Sequence, residues 1–181
     1  MEELEELKKR LEEERPMTWD SFPDIGLYMD QVISYVSRQL ITYDQGEGLT
    51  PAMVNNYIKD GLLPRAEGKR YSKTHLAYLT AICALKQVLS VKETRELLRL
   101  SRGERTAEDL YATFYSELSL AQDCTAEVLD PELDREDLPR LALRLALRSY
   151  ADKLACERVL SLLEPAERPP EKRRREKDRE R

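Results

Sequence analysis

The sequence predicts an all-α protein, on three observations. Apolar residues recur at spacings of three and four, as on one face of a helix, and no stretch alternates apolar and polar residues long enough to make a strand. Several predicted helices begin at capping residues of the Ser or Thr type. All six glycines lie at or before position 103, most of them beside predicted turns. The 181 residues are therefore expected to form one domain, or a small domain with helical additions.

Two helices are predicted in the first part of the chain. Residues 2–15 carry leucines at 3–4 spacing among Glu, Lys and Arg, which predicts a charged helix that is solvated or frayed. Pro16 ends it, because proline cannot donate the backbone hydrogen bond that a helix needs. Asp24 is expected to cap a second helix, which runs to about Ile41. A glycine-containing link over 44–48 follows.

The next segment contains three predicted helices separated by short turns. The dipeptide Thr50-Pro51 combines an N-cap with a proline at the first helical position, so a short helix begins there. After a polar loop over 64–71, a longer helix covers 72–89. An S-x-x-E capping box then begins a helix over about 91–100.

Two further helices are predicted in the C-terminal third. Thr106 caps the first, whose aromatic side chains at 111–115 are expected to lie in the core. The dipeptide Asp130-Pro131 interrupts the chain. A long helix then runs from about 137 to 163, and the charged, proline-containing residues 165–181 are expected to be disordered.

Composition argues against several classes of protein. No apolar run approaches the ~20 residues that cross a bilayer, and the N-terminus is charged throughout, so we expect a cytoplasmic protein without a membrane span or signal peptide. The three cysteines are far apart and form no CxxC pair, which argues against disulfides and zinc. The single histidine, His75, lies about 12 Å along a helix from Cys83, too far for a catalytic pair. We therefore predict no enzyme activity, no metal and no cofactor.

Charge is segregated along the chain. The net charge is −5, yet residues 49–100 carry nine basic and four acidic side chains. Residues 1–48 carry five basic and twelve acidic side chains, and residues 101–166 carry eight and fourteen. A basic segment inside an acidic protein is the expected footprint of a polyanion site, although windows of this length often fluctuate by several charges.

The short helix after Thr50-Pro51 has side chains suited to nucleic acid. Val54 and Tyr57 lie on its buried stripe. The polar positions on its other side are Asn55, Asn56 and Lys59. Asparagine can pair bidentately with adenine, and lysine can reach guanine or phosphate, so this side is suited to a major groove.

The loop that follows this helix is basic. Gly68 allows a tight turn, and Tyr71 ends the loop. The cations are Arg65, Lys69 and Arg70. Three cations beside a polar helix would straddle a phosphate backbone, which is the layout of a winged helix-turn-helix. A polar surface helix followed by an ordinary charged loop is the competing interpretation.

These residues form an ordered series that resembles the DNA-binding head of MerR-type regulators. The family reads roughly as small-Pro-x-T-L-R-Y-Y-x-x-x-G-L-L-P, then a wing ending in G-Y-R-x-Y, then S-x-x-D/E-L. The matching positions here are Thr50-Pro51, Val54, Tyr57, GLLP at 61–64, GKRY at 68–71, Ser72 and Leu76. Residues 89–98 then match the family phrase F-S-L-E-E-I-R-E-L-L, so the resemblance covers 49–100.

The resemblance implies a MerR-like winged helix-turn-helix head with a C-terminal helical extension, acting on double-stranded DNA. The implied divisions are a charged N-terminal extension (1–19), the head (20–103), a helical region (104–164) and a disordered tail (165–181). The implied DNA-binding residues are Thr50, Asn55, Asn56, Tyr57, Lys59, Arg65, Lys69, Arg70 and Tyr71. The two tyrosines are expected to be partly core and partly phosphate contacts. Asn55 and Asn56 stand where the family usually has Arg and Tyr.

Residues 20–160 also resemble a group of small bacterial MerR-like proteins classed as a domain of unknown function. The phrase that carries this likeness is Asp24-Ile25-x-Leu27-Tyr28-Met29-Asp30-Gln31-Val32. It implies a transcription regulator and leaves a small-molecule effector open.

MerR-type proteins use a long C-terminal helix as an antiparallel dimer coil, which implies a homodimer through 137–163. A helix packed on its own domain is the alternative, because Arg140, Arg144 and Arg148 would cut into an apolar seam. A winged-helix adaptor for a protein partner is the second function class that stays open, since the basic segment has acidic flanks.

Overall fold

The computed structural model describes residues 2–42 and 48–163, and within these ranges seven α-helices form most of the chain. They are α1 (Glu2–Glu13), α2 (Met29–Val36), α3 (Pro51–Lys59), α4 (Lys73–Leu85), α5 (Val91–Arg102), α6 (Ala107–Ala126) and α7 (Leu138–Leu163). Two isolated antiparallel bridges are the β pairing in these ranges. The predicted all-helical class is confirmed.

Helix α4 is the centre of the core. Its residues from His75 to Ile82 are all buried, because the helix is apolar on nearly every side and other elements surround it. Helices α2 and α6 pack on it directly. The core also takes Val54 and Tyr57 from α3 and Leu98 from α5, so the basic segment is part of the same folded unit.

Helix α2 is shorter than the helix predicted over 24–41. Leu27 is extended and exchanges two backbone hydrogen bonds with Tyr71, each 2.9 Å long, so the chain there cannot be helical. The Gln31 side chain accepts a hydrogen bond from the Tyr28 N–H (2.9 Å), which caps the helix one turn later than predicted. A long-range pairing therefore replaced the cap expected at Asp24.

Helix α1 packs along α6, which corrects the expectation of a solvated or frayed helix. Its three leucines are half-buried. The Lys8 ammonium donates to the Leu129 carbonyl (3.2 Å), and the Arg15 guanidinium pairs with Asp123 on α6. These contacts join residues more than 100 positions apart, which sequence spacing does not reveal.

The aromatic residues at the start of α6 form the second part of the core. Tyr111 is 1% exposed and its ring packs against Trp19, Phe22 and Phe114, with centroids 4.9–6.5 Å apart. Its hydroxyl donates to the Met17 carbonyl at 2.7 Å. The core prediction for 111–115 is confirmed at Tyr111 and Phe114, and the Tyr115 side chain is half-exposed.

Most predicted helix starts are confirmed, because capping signals are local. The Thr50, Ser90 and Thr106 side chains each accept a hydrogen bond from a backbone N–H three residues on. Two helix ends differ from the prediction. Helix α2 stops at Val36 and not at about Ile41, and α4 stops at Leu85, where the chain turns through 86–88 to bury Leu89.

Two predicted segments lie outside the described residues, namely the link over 44–48, apart from residue 48, and the tail over 165–181. Within the described residues, none of the helices combines the length and apolarity that a bilayer crossing requires.

Candidate nucleic-acid interface

Helix α3 divides into a buried and an exposed side. Val54 and Tyr57 are buried in the core, and Ile58 is half-buried. The exposed side carries the polar residues Asn55, Asn56 and Lys59. The Thr50 hydroxyl accepts from the Met53 N–H at 3.2 Å and fixes the N-terminus of the helix. The structure therefore places the predicted polar side chains together, facing away from the core.

The end of α3 explains the GLLP sequence. Gly61 has φ +75°, a left-handed conformation that residues with a Cβ rarely adopt. This turn lets the N–H groups of Leu62 and Leu63 both donate to the Tyr57 carbonyl, at 2.8 and 3.1 Å. Both leucine side chains are then buried. The sequence thus fixes where the chain leaves α3 and enters the basic loop.

The basic loop ends in a two-residue hairpin turn, which we call the wing hairpin (67–70). Glu67 and Arg70 exchange backbone hydrogen bonds of 2.9 and 3.2 Å. The central residues, Gly68 and Lys69, both have positive φ (54° and 64°), as in a type I′ turn. Lys69 is therefore at the exposed tip, and the loop is more ordered than the polar segment predicted over 64–71.

Arg70 fastens the wing hairpin to the segment before α2. Its guanidinium donates to the Gly26 carbonyl (3.0 Å) and to the Tyr28 hydroxyl (2.9 Å), and lies 4.5 Å from the centre of the Tyr28 ring. Arg70 was predicted to contact DNA, and these partners were not predicted because they lie 42–44 positions upstream.

Gly26 makes this close contact possible. A Cβ placed there would lie 2.9 Å from the Arg70 Cβ, well inside van der Waals contact. We expect Gly26→Ala to destabilise the fold by about 1–3 kcal/mol, because the chain must move apart at the Arg70 contact. Urea unfolding measures this. Gly48→Ala is the matched control, since nothing lies within 4 Å of a Cβ at that position. Equal unfolding midpoints for the two variants would contradict the predicted clash.

The tyrosines of the predicted site lie mainly in the core. Tyr57 and Tyr71 are each 5% exposed, and burial raises the pKa of both hydroxyls. The expectation that they are partly core is confirmed, and contacts with phosphate stay a prediction. Thr50, Arg65 and Lys69 are exposed, and the Thr50 hydroxyl caps the N-terminus of α3.

His75 has a structural role behind the loop. Its Nδ1 accepts from the Ser72 N–H at 3.0 Å and lies 2.9 Å from the Ser72 hydroxyl, so it completes the cap of α4. Burial lowers the pKa of His75, and backbone groups of Arg65 and Pro64 oppose this shift. Because Nδ1 accepts a hydrogen bond, the folded state favours the neutral ring.

The lowered pKa of His75 makes stability depend on pH. The unfolded chain binds a proton at this ring near pH 6.5, whereas the folded chain does so only at lower pH. Stability from the neutral ring is present above pH 6.5 and is lost as the pH falls below it. Urea unfolding between pH 7.5 and 5.5 measures this slope. We expect His75→Gln to flatten it, and an unchanged slope would contradict the neutral assignment.

Other reactive side chains are dispersed. Cys83, Cys124 and Cys156 are free and half-buried, and burial raises the pKa of the Cys83 thiol to about 11. Among the described residues, no group of three His, Cys, Asp or Glu side chains is arranged to hold a metal ion.

The comparisons with known proteins identify a family. No curated protein and no solved structure matches the chain. Residues 17–118 match the family described as "Domain of unknown function (DUF1836)", and this segment contains α2 to α5, the wing hairpin and the aromatic start of α6. Since the match covers more than half of the 181 residues, the chain belongs to the DUF1836 family.

Proposed function

We propose that this protein is a cytoplasmic, MerR-like transcription regulator that binds double-stranded DNA. In this proposal α3 enters the major groove and the wing hairpin lies on the adjacent backbone, as in a winged helix-turn-helix. One observation carries it: Asn55, Asn56 and Lys59 share the exposed side of a helix that Val54 and Tyr57 anchor in the core. A helix with amide and ammonium groups on its exposed side is suited to base edges.

Binding to DNA is the first test. The purified protein is titrated with a labelled fragment from its own upstream region and with a scrambled fragment, over a range of salt concentrations. We expect saturable binding, a steep decrease in affinity with salt, and a preference for the native fragment. No binding to either fragment at low salt would contradict the proposal.

Two substitutions separate base recognition from backbone contact. We expect Asn55→Ala to weaken binding by about 1–3 kcal/mol on the preferred fragment only. We expect Lys69→Asn to weaken binding to both fragments and to lower the salt slope by about one, because it removes one cation from the hairpin tip while tolerating positive φ. Lys92→Gln, an exposed cation on α5, is the control. Wild-type binding by both site variants would place the interface elsewhere.

Arg70→Ala is a poor probe of phosphate contact. It would remove the contacts with Gly26 and Tyr28 as well as a cation, so weaker binding would have two causes.

The proposal includes a homodimer formed through α7. This helix has two apolar sides. Leu141 and Leu160 are buried against the protein, whereas a second side is 55–66% exposed. We call this second side the α7 stripe; it consists of Leu143, Leu147, Tyr150 and Leu154. Its spacings of four, three and four are those of a coiled-coil seam.

The ends of the α7 stripe favour an antiparallel pairing. In the heptad pattern of the stripe, Arg140 takes the next position before Leu143, and Glu157 takes the next position after Leu154. In a parallel dimer each would face its own copy, so like charges would meet. In an antiparallel dimer centred between Leu147 and Tyr150, Arg140 faces Glu157 of the second copy, and opposite charges close both ends of the seam. The predicted arginine row is exposed, and Arg148 lies 3.8 Å from Asp152.

A protein-interaction adaptor is the second candidate. It is favoured by the engagement of Arg70 inside the protein, which reduces the cations available to DNA. A stoichiometric protein partner that copurifies, together with no shift of any DNA, would favour the adaptor.

A further inference from the structure

A large cleft borders the loop that follows α3. Its volume is about 910 Å³. It lies between the α3–α4 connection (60–65) and α5 with the turn after it (102–105), and one residue of α4 lines it. Small-molecule sites commonly have volumes of about 300–1,000 Å³, so this cleft is large enough for a ligand of nucleotide size.

Arginines dominate the lining of this arginine cleft. They are Arg65, Arg95, Arg99, Arg102 and Arg105. The acidic residues of the lining are Asp60 and Glu104. Arg95 donates to the Asp60 carbonyl at 3.2 Å, and Arg99 pairs with Glu96 at 2.8 Å. The other three arginines form no ion pair with any carboxylate of the described residues. Hydrogen bonds from Thr106, and to a smaller extent the charge of Arg105, lower the pKa of Asp109. Several guanidinium groups around one cleft favour a multiply charged anion.

Tyr78 is an independent sign of a ligand. It lines the cleft from α4 and is only 5% exposed, yet its buried hydroxyl has no hydrogen-bond partner among the described residues. A buried hydroxyl without a partner is costly, and native structures rarely leave one without a reason. A ligand atom in the cleft would give this hydroxyl an acceptor.

Apolar side chains complete the lining. Leu62 and Leu63 enter from the connection after α3, and Leu98 from α5; all three are nearly buried. They give the cleft an apolar surface next to its cations. Such a combination fits a molecule with an apolar or aromatic body and an anionic end.

From these observations we infer that the arginine cleft binds a phosphorylated small molecule with an aromatic or apolar body, of the nucleotide class. Arg102 and Arg105 hold the phosphates, the Tyr78 hydroxyl donates to an oxygen, and the leucines contact the body. A concave cleft suits a small molecule better than a duplex, whose phosphates lie on its convex surface. The inference stands apart from DNA binding, although Arg65 belongs to both candidate sites.

Calorimetry of the full chain with ATP, in the presence of EDTA, tests this inference, with adenosine as the uncharged control. We expect saturable binding of ATP and none of adenosine at the same concentrations. Arg102→Gln and Arg105→Gln should each weaken ATP binding about tenfold. Arg158→Gln, an exposed arginine on α7, should leave it unchanged.

Tyr78→Phe separates binding from folding. Because its hydroxyl has no partner in the structure, its removal should leave thermal stability unchanged or higher, yet weaken ATP binding about fivefold. Absence of saturation at millimolar ATP, or wild-type affinity in both arginine variants, would overturn the inference. Displacement of ATP by a random DNA duplex at equal phosphate concentration would also overturn it, since the arginines would then hold a nucleic-acid backbone.

Discussion

Tyr111→Ala is expected to lower the free energy of unfolding by about 3–5 kcal/mol, the range for loss of a fully buried aromatic side chain. The ring is 1% exposed and joins α6 to the segment that contains Trp19 and Phe22. Its removal leaves a cavity that rigid neighbours cannot fill. Urea or thermal unfolding of the purified variant measures the loss.

Two further variants serve as comparisons for Tyr111→Ala. One removes only the hydroxyl, and the other truncates an exposed side chain of the same helix. Tyr111→Phe keeps the ring and removes the hydrogen bond to the Met17 carbonyl, so we expect a loss of only about 1 kcal/mol. Leu120→Ala, at an exposed position of the same helix, should change the unfolding free energy by less than about 0.5 kcal/mol. If Tyr111→Ala unfolds like Leu120→Ala, the aromatic cluster does not hold α6 in place.

Leu147→Glu is expected to convert the proposed dimer into a monomer. Each dimer would lose two buried leucines at the centre of the α7 stripe, a loss of about 3–6 kcal/mol, which raises the dissociation constant at least about 100-fold. Sedimentation over a range of concentrations measures this. Ala155→Glu adds the same charge to α7 outside the stripe and should leave the dimer intact. A wild-type molar mass for Leu147→Glu at low concentration would contradict the proposed seam.

A charge exchange tests the direction of the helices. Arg140→Glu should weaken an antiparallel dimer, because it brings two glutamates together at each end. Adding Glu157→Arg should restore the dimer. In a parallel dimer the double variant would still oppose like charges and would not recover.

Local features of the sequence predicted the fold best. The caps at Thr50, Ser90 and Thr106 depend on bonds three residues long, so the starts of α3, α5 and α6 were predictable. The amphipathic division of α3 was predictable for the same reason, because Val54 and Tyr57 face the core at helical spacing.

Features that depend on distant partners were missed. Nothing near Leu27 indicates that Tyr71 holds it extended, so α2 was predicted to begin too early. The spacing of Arg95, Arg99 and Arg102 predicts that they share one side of a helix. The sequence does not predict that Tyr78, with its buried hydroxyl, lines the same cleft. The leucines of α1 predicted a solvated or frayed helix, and their partner is α6 of the same chain.

The pair of hydrogen bonds between Leu27 and Tyr71 closes a loop of 44 residues that contains both α2 and α3. Bringing such distant positions together costs chain entropy, so the bridge and the packing inside the loop must form and break as one unit. Hydrogen exchange of the Leu27 and Tyr71 amides should therefore report the same free energy of opening as that of the α3 amides. The helix that presents Asn55 and Asn56 is then lost together with a bridge between two residues that lie outside it.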